Sequence, residues 1–252
     1  MSRKTASLLA LRTPAAPLFP TVVAMGSPNI DARLGGGLAR GALHEVFAAE
    51  DTSAGAAMGF ALMLAWLGCG GKPLIWLRED RSERDHGRLY APGMASLGAD
   101  PAAMIVVAGR DALAVLRAGA DIIGCGAVGA VVIEPWGKAP VFDLTASRRL
   151  ALGAARSGVL ALVLRVGAEP SPSAATTRWR VGAAPSRALL ANAPGRPAFE
   201  ISLLRHRGGI AGFDARVEWD CDRQSFDEPA LSGGVPADVT GRAIANFRRR
   251  AG

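Results

Sequence analysis

A loop that holds nucleotide phosphates has narrow requirements. Glycines let backbone N–H groups converge on phosphate, a lysine reaches the β and γ phosphates, and a Ser or Thr holds magnesium. In a strand–loop–helix unit that loop falls at 48–57, reading Ala-Ala-Glu-Asp-Thr-Ser-Ala-Gly-Ala-Ala. Ala48, Glu50, Asp51, Ser53, Ala54 and Gly55 stand where the chemistry belongs, and no lysine is among them. In every register alanine or glycine replaces the lysine and the hydroxyl, and two carboxylates enter a loop meant to attract phosphate. Neither triphosphate hydrolysis nor a nucleotide cofactor is expected. Lys72, in Gly70-Gly71-Lys72-Pro73, precedes a strand, lacks a following Ser or Thr, and has Trp66 where the motif's first glycine belongs. It is a decoy. Glu134 ends an apolar run where a magnesium-holding acid would sit, and Glu79 follows Leu74–Leu77 where a water-activating base would sit. Without the lysine, both read as solvated residues at strand ends.

The elements that must position these residues are legible from their periodicity. Strands are predicted at Ala42–Phe47, Pro73–Leu77, Met104–Val107, Ala127–Ile133 and Val159–Arg165, alternating with helices at Ala56–Leu67, Arg84–Leu97, Asp111–Ala120 and Asp143–Ser157. Unalternating apolar strands between helices imply an α/β fold with a mostly parallel sheet covered on both faces. After Gly167–Thr177, a Pro/Ser/Ala loop, the strands Thr177–Val181, Pro197–Arg205 and Phe213–Trp219 alternate apolar with polar residues, which predicts an antiparallel edge. Residues 1–20 read as a mobile arm, 21–231 as one core domain and 232–252 as a flexible basic tail.

Composition bounds the rest. Half of the 252 residues are hydrophobic and 20% are charged, which suits a packed domain and excludes a disordered chain. The net charge is +7, with only Lys4, Lys72 and Lys138 among 29 basic residues; such arginine bias suits phosphate recognition and equally reflects a GC-rich genome. Cys69, Cys125 and Cys221 are widely spaced and read as reduced thiols, and His44, His86 and His206 lack partners at ligand spacing, so no metal is expected. Arg12 and Pro14 interrupt the short apolar run near the start, which argues against a signal peptide. The uncharged stretch Ala54–Gly71 reaches membrane length, but its five glycines and the strand that follows fit a buried core helix. A cytoplasmic protein without a membrane anchor is expected.

Two basic groupings are candidates for partner or DNA contact. Arg178 and Arg180 flank Trp179, and Arg205 and Arg207 flank His206; on neighbouring strands they would form a basic surface with a stacking aromatic, or an ordinary solvated face. Phe247 with Arg248, Arg249 and Arg250 is an aromatic anchor within charge on a loose tail. Ser53 and Ser147 lack the setting of an activated nucleophile.

The run Ile30-Asp31-Ala32-Arg33-Leu34-Gly35-Gly36-Gly37-Leu38-Ala39-Arg40-Gly41 into Ala42–Phe47 resembles the RecA pattern, in which a small-residue turn and Leu-x-x-Gly lead into the strand before the phosphate loop. The resemblance continues through Leu89-Tyr90 and Leu97-Gly98-Ala99-Asp100 to Glu134 and covers most of Ser27–Asp220. RecA relatives that join this core to a decayed phosphate loop are the ImuA family and its SulA-like cousins, and the length and lead-in resemble ImuA. The resemblance implies a RecA-like core, a mostly parallel twisted sheet flanked by helices with antiparallel edge strands. It implies a noncatalytic bacterial accessory factor in SOS-induced, error-prone translesion synthesis, acting with an ImuB-like polymerase-like protein, with RecA and with a DnaE-type polymerase. RecA's two DNA-contacting loops correspond in order to Pro135–Phe142 and Gly167–Thr177, both short here, and its amino-terminal polymerisation element is reduced to the arm before Ser27. The same core is shared by a SulA-like division inhibitor binding a tubulin-like protein, and Glu79 and Glu134 leave a weak ATPase as a further alternative.

Overall fold

The computed structural model describes residues 21–186 and 195–229; the arm at 1–20 and the tail at 232–252 lie outside the described residues. A short ribbon of β1 (Val22–Val23) and β2 (Leu38–Ala39) brackets α1 (Pro28–Arg33), whose N-cap Ser27 accepts the Ile30 N–H. The core then alternates β3 (Leu43–Ala48), α2 (Ala54–Cys69), β4 (Leu74–Glu79), α3 (Asp80–His86) and α4 (Ala91–Ser96). It continues with β5 (Met104–Gly109), α5 (Ala112–Ile123), β6 (Ala130–Glu134), α6 (Leu144–Ser157) and β7 (Leu160–Arg165). The strands β8 (Thr177–Ala183), β9 (Ala198–His206), β10 (Phe213–Asp220) and β11 (Ser225–Asp227) complete it.

These strands form one nine-stranded sheet in the order β11-β10-β9-β8-β3-β7-β6-β4-β5. From β8 to β5 neighbouring strands run parallel, and β9, β10 and β11 add by antiparallel pairing, so the predicted mixed architecture is present. The expected helix over Arg84–Leu97 is instead two. The chain turns at Gly87 with φ of 77°, a region that favours glycine, and Pro92 opens α4 because its ring cannot follow a preceding helical turn. The lead-in ribbon, α1 and β11 carry too little periodicity to be predicted from sequence.

The two faces of the sheet hold separate apolar clusters. One contains α2, with Phe60, Met63 and Leu64 against Trp76, Val132, Leu162 and Trp179. The span Asp51–Cys69 is apolar and long enough to cross a bilayer, yet α2 packs on β3, β6, β7 and β8, the expected place for a helix without a polar face. The other face carries α5 and α6, capped by Asp111 and Asp143, whose carboxylates accept the N–H groups of Ala114 and Ala146 at 2.7 Å. Each cap contributes about 1 kcal/mol and pins a helix start beside a strand end. Parallel strands of this kind leave their carboxyl ends as the ligand crevice.

Candidate functional site

The chain leaves β3 at Ala48, and Ala49 N–H donates to Val181 O at 2.8 Å before the turn into α2. Asp51–Ser53 form one tight 3-10 turn, and Ser53 makes no side-chain cap on α2. The first turn of a helix offers unpaired N–H groups to an anion. Here Thr52 Oγ1 donates to Glu50 Oε2 at 3.2 Å, and Glu50 and Asp51 stand in front of that helix end. They line a cleft of about 860 Å³ at the carboxyl ends of β3 and β7 and the loop after β6. Asp143 and Glu169 also line it, against Lys138 and Arg165 as the cations. Arg165 is buried, stacks 5.0 Å from the centre of the Phe142 ring and donates to Lys138 O at 2.7 Å. Burial pulls its guanidinium below the usual arginine range, with Glu45 pulling the other way.

The two acids that could serve hydrolysis are already engaged. Glu134 is 2% exposed, which corrects the expectation of a solvated strand end. Its Oε1 pairs with Arg78 Nη2 at 3.1 Å, and its Oε2 accepts Trp76 Nε1–H at 2.7 Å. The cause is the β4–β6 pairing, which sets Arg78 directly opposite Glu134 on the face covered by α2. Arg78 Nη1 also donates to Gly87 O at 2.8 Å, tying the end of α3 to the same group. Glu79 is half-buried; its Oε2 accepts the Trp136 backbone N–H at 3.0 Å. Trp136 is held from two further sides, since its Nε1–H donates to Asp85 at 2.7 Å and the Arg81 guanidinium lies 3.9 Å from its ring centre.

The other face holds a second buried ion pair. Glu45 Oε2 lies 3.0 Å from Arg178 Nε, and Arg178 Nη2 donates to Ser173 Oγ at 2.7 Å and to Ser171 O. Burial pushes the Glu45 carboxyl up from its usual range, while Ser173, Arg178 and Arg165 act against that rise. Back on the face covered by α2, Trp179 Nε1–H donates to Thr177 Oγ1 at 2.8 Å, and Thr177 Oγ1 lies 2.7 Å from His44 Nδ1. His44 Nε2 faces Ala39 O at 2.9 Å, so the partners assign a neutral imidazole with its proton on Nε2. Burial holds this histidine down at about 4.

The predicted basic surface is therefore divided. Trp179 is wholly buried against Phe60 and Phe213, and Arg178 is committed to Glu45, so neither can meet a partner. The physical reason is the strand alternation itself, which turns Trp179 toward α2. Arg180 is partly exposed, 3.7 Å from Glu169, while Arg205 and Arg207 stand at the surface near the end of β9. Phe247 and Arg248–Arg250 lie outside the described residues. Sequence reasoning missed Arg78, Trp76, Glu45, Arg165 and Trp136; a lone arginine inside the apolar run Leu-Ile-Trp-Leu-Arg-Glu was the one available signal. Among the described residues no group of three or more His, Cys, Asp or Glu is arranged to hold a metal ion.

No family model matches the chain. Two relatives, each called Protein ImuA, come from Caulobacter vibrioides strains NA1000/CB15N and ATCC 19089/CIP 103742/CB 15. Each is 34% identical over 207 residues, covering 76% of this chain and 81% of the relative. Among solved structures, the RadB recombinase superposes with a TM-score of 0.57 at 14% identity, over 82% of this chain and all of that one. That likeness shows the fold, a RecA-like core with a mostly parallel sheet and an antiparallel edge. By its sequence relatives, carried on that core, the chain belongs to the ImuA family.

Proposed function

We propose that this protein is a noncatalytic RecA-like adaptor in SOS-induced, error-prone translesion DNA synthesis in the bacterial cytoplasm. Its partners in this reading are an ImuB-type polymerase-like protein, with RecA and a DnaE-type polymerase as further members of the assembly. The observation that carries the noncatalytic part is the Arg78–Glu134 pair, because an acid neutralised by a buried guanidinium is withdrawn from magnesium. The loop before α2 supports it from the other side. Four carboxylates in a cleft with two cations, one of them buried, repel a triphosphate instead of cradling it. With no reaction to perform, the crevice keeps a shape and a charge that a protein partner can read. The family membership supplies the process, and family membership together with the surviving core supplies the adaptor role.

A nucleotide titration with a turnover assay tests the noncatalytic part. Equilibrium binding of magnesium-ATP and phosphate release are followed for the full chain and for Glu134→Ala. The expected result is no saturable nucleotide binding and no phosphate release above background in either. Turnover in the wild type that is lost in a Glu134→Ala protein shown by thermal melt to be folded would establish a weak ATPase, with Lys138 in the cleft as the cation to examine next.

A further inference from the structure

Arg205 and Arg207 lie near the end of β9, and Arg148 lies one turn into α6. The three line one pocket of about 310 Å³, which they share with Leu144 and the loop Pro172–Ala174. No carboxylate lines it. The register explains why: Arg205 sits opposite Arg178 across β8 and β9, and Arg178 directs its charge inward to Glu45. Of the acids flanking the other lining segments, Asp143 caps α6 and Glu169 lies 3.7 Å from Arg180. Arg148 and Arg205 form no ion pair or hydrogen bond among the described residues, and Arg207 gives one N–H to Ala174 O at 3.2 Å.

Three like charges held around one recess repel one another, and an anion between them reverses the sign of that energy. Guanidinium forks match phosphate oxygens in pairs, which an ammonium group does not. The recess is large enough for a phosphate and its sugar linkages, and no aromatic residue lines it, so nothing there stacks a base. Contacts of that kind fix a strand's position without reading its sequence. A chain of net charge +7 draws a polyanion toward such a recess. A flexible single strand turns one phosphate into a recess at less cost than a stiff duplex.

We infer that this pocket binds a backbone phosphate of single-stranded nucleic acid, with Arg148, Arg205 and Arg207 as the phosphate ligands. The assignment is independent of whether the cleft before α2 turns over ATP. Fluorescence anisotropy of a labelled oligothymidine against the full chain tests it, using Arg148→Gln/Arg205→Gln/Arg207→Gln. The charge-matched control is Arg117→Gln/Arg149→Gln/Arg156→Gln, three exposed arginines outside the pocket, and thermal melts confirm that both triples fold. The pocket triple is expected to bind about tenfold or more weakly, the size of a lost charge-assisted contact. Its log–log salt dependence flattens by about 0.7 for each phosphate no longer held. The control stays within about threefold of wild type. Equal losses in the two triples, an unchanged pocket triple, or tighter binding to a duplex of the same length would each overturn the assignment. So would a wild type that takes inorganic phosphate, seen as shifts of the arginine side-chain NMR signals, while leaving the oligonucleotide unbound.

Discussion

Glu134→Gln removes one charge and almost no volume, so its effect isolates what the buried ion pair does. In the folded chain Arg78 is 1% exposed and has Glu134 Oε1 at 3.1 Å as its counter-ion. Gln can still accept the Trp76 Nε1–H, so that hydrogen bond survives. What remains is a guanidinium buried without a compensating charge. Removing one partner of a buried pair costs about 3–5 kcal/mol. A domain with about 5–15 kcal/mol in total would lose a fifth or more of its stability. The second half of the argument is the double variant Arg78→Met/Glu134→Gln, which removes the orphaned charge and fills the volume with an apolar chain. Replacing a buried pair by uncharged groups of similar volume is close to neutral, so the double variant should recover most of the about 3–5 kcal/mol that Glu134→Gln loses. Urea denaturation of wild type, both singles and the double closes the cycle. A Glu134→Gln protein within about 1 kcal/mol of wild type would refute the reasoning, since it would mean that Arg78 finds another counter-ion or water.

Other expectations follow from the same geometry. His44, held at about 4 against an ordinary 6.5, takes up a proton more readily unfolded than folded. Its contribution to stability is complete above about 6.5 and shrinks by about 3 kcal/mol as pH falls toward 4, so His44→Gln should flatten denaturation midpoints across that window. Identical slopes for wild type and variant would contradict the assigned neutral imidazole. A methyl group at Gly129 would collide with the backbone of Cys69, which has no side-chain end to move aside, so Gly129→Ala should cost about 1–3 kcal/mol in a urea melt. Trp179→Phe leaves Thr177 without its indole donor and opens a gap beside Phe60 and Phe213. A loss of about 1–3 kcal/mol is expected, with oligonucleotide affinity unchanged because the residue is buried.

The parallel half of the fold was open to reading because its strands are self-contained signals. Leu74–Leu77, Met104–Val107 and Val159–Leu164 are unbroken apolar runs between helical segments, and each falls in a strand. The absence of a lysine between β3 and α2 is likewise a fact of the sequence alone. Pairing is another matter. Arg78 and Glu134 face each other because β6 returns to lie beside β4, a crossover that neither segment announces locally. The same holds for Glu45 and Arg178, joined when β8 adds to the far side of β3. Alternation in Arg178-Trp179-Arg180 was visible, but which face a helix would cover was not. The surface reading of Trp179 failed on that point, and Arg148 joined Arg205 and Arg207 through α6, which no spacing rule connects to β9.

The adaptor account meets its most direct test in a titration of the full chain into purified ImuB-type polymerase-like protein, with and without magnesium-ATP. The account predicts saturable binding that is indifferent to the nucleotide, because the cleft before α2 does not take it up. No binding in either condition, or binding that appears only with ATP, would contradict it.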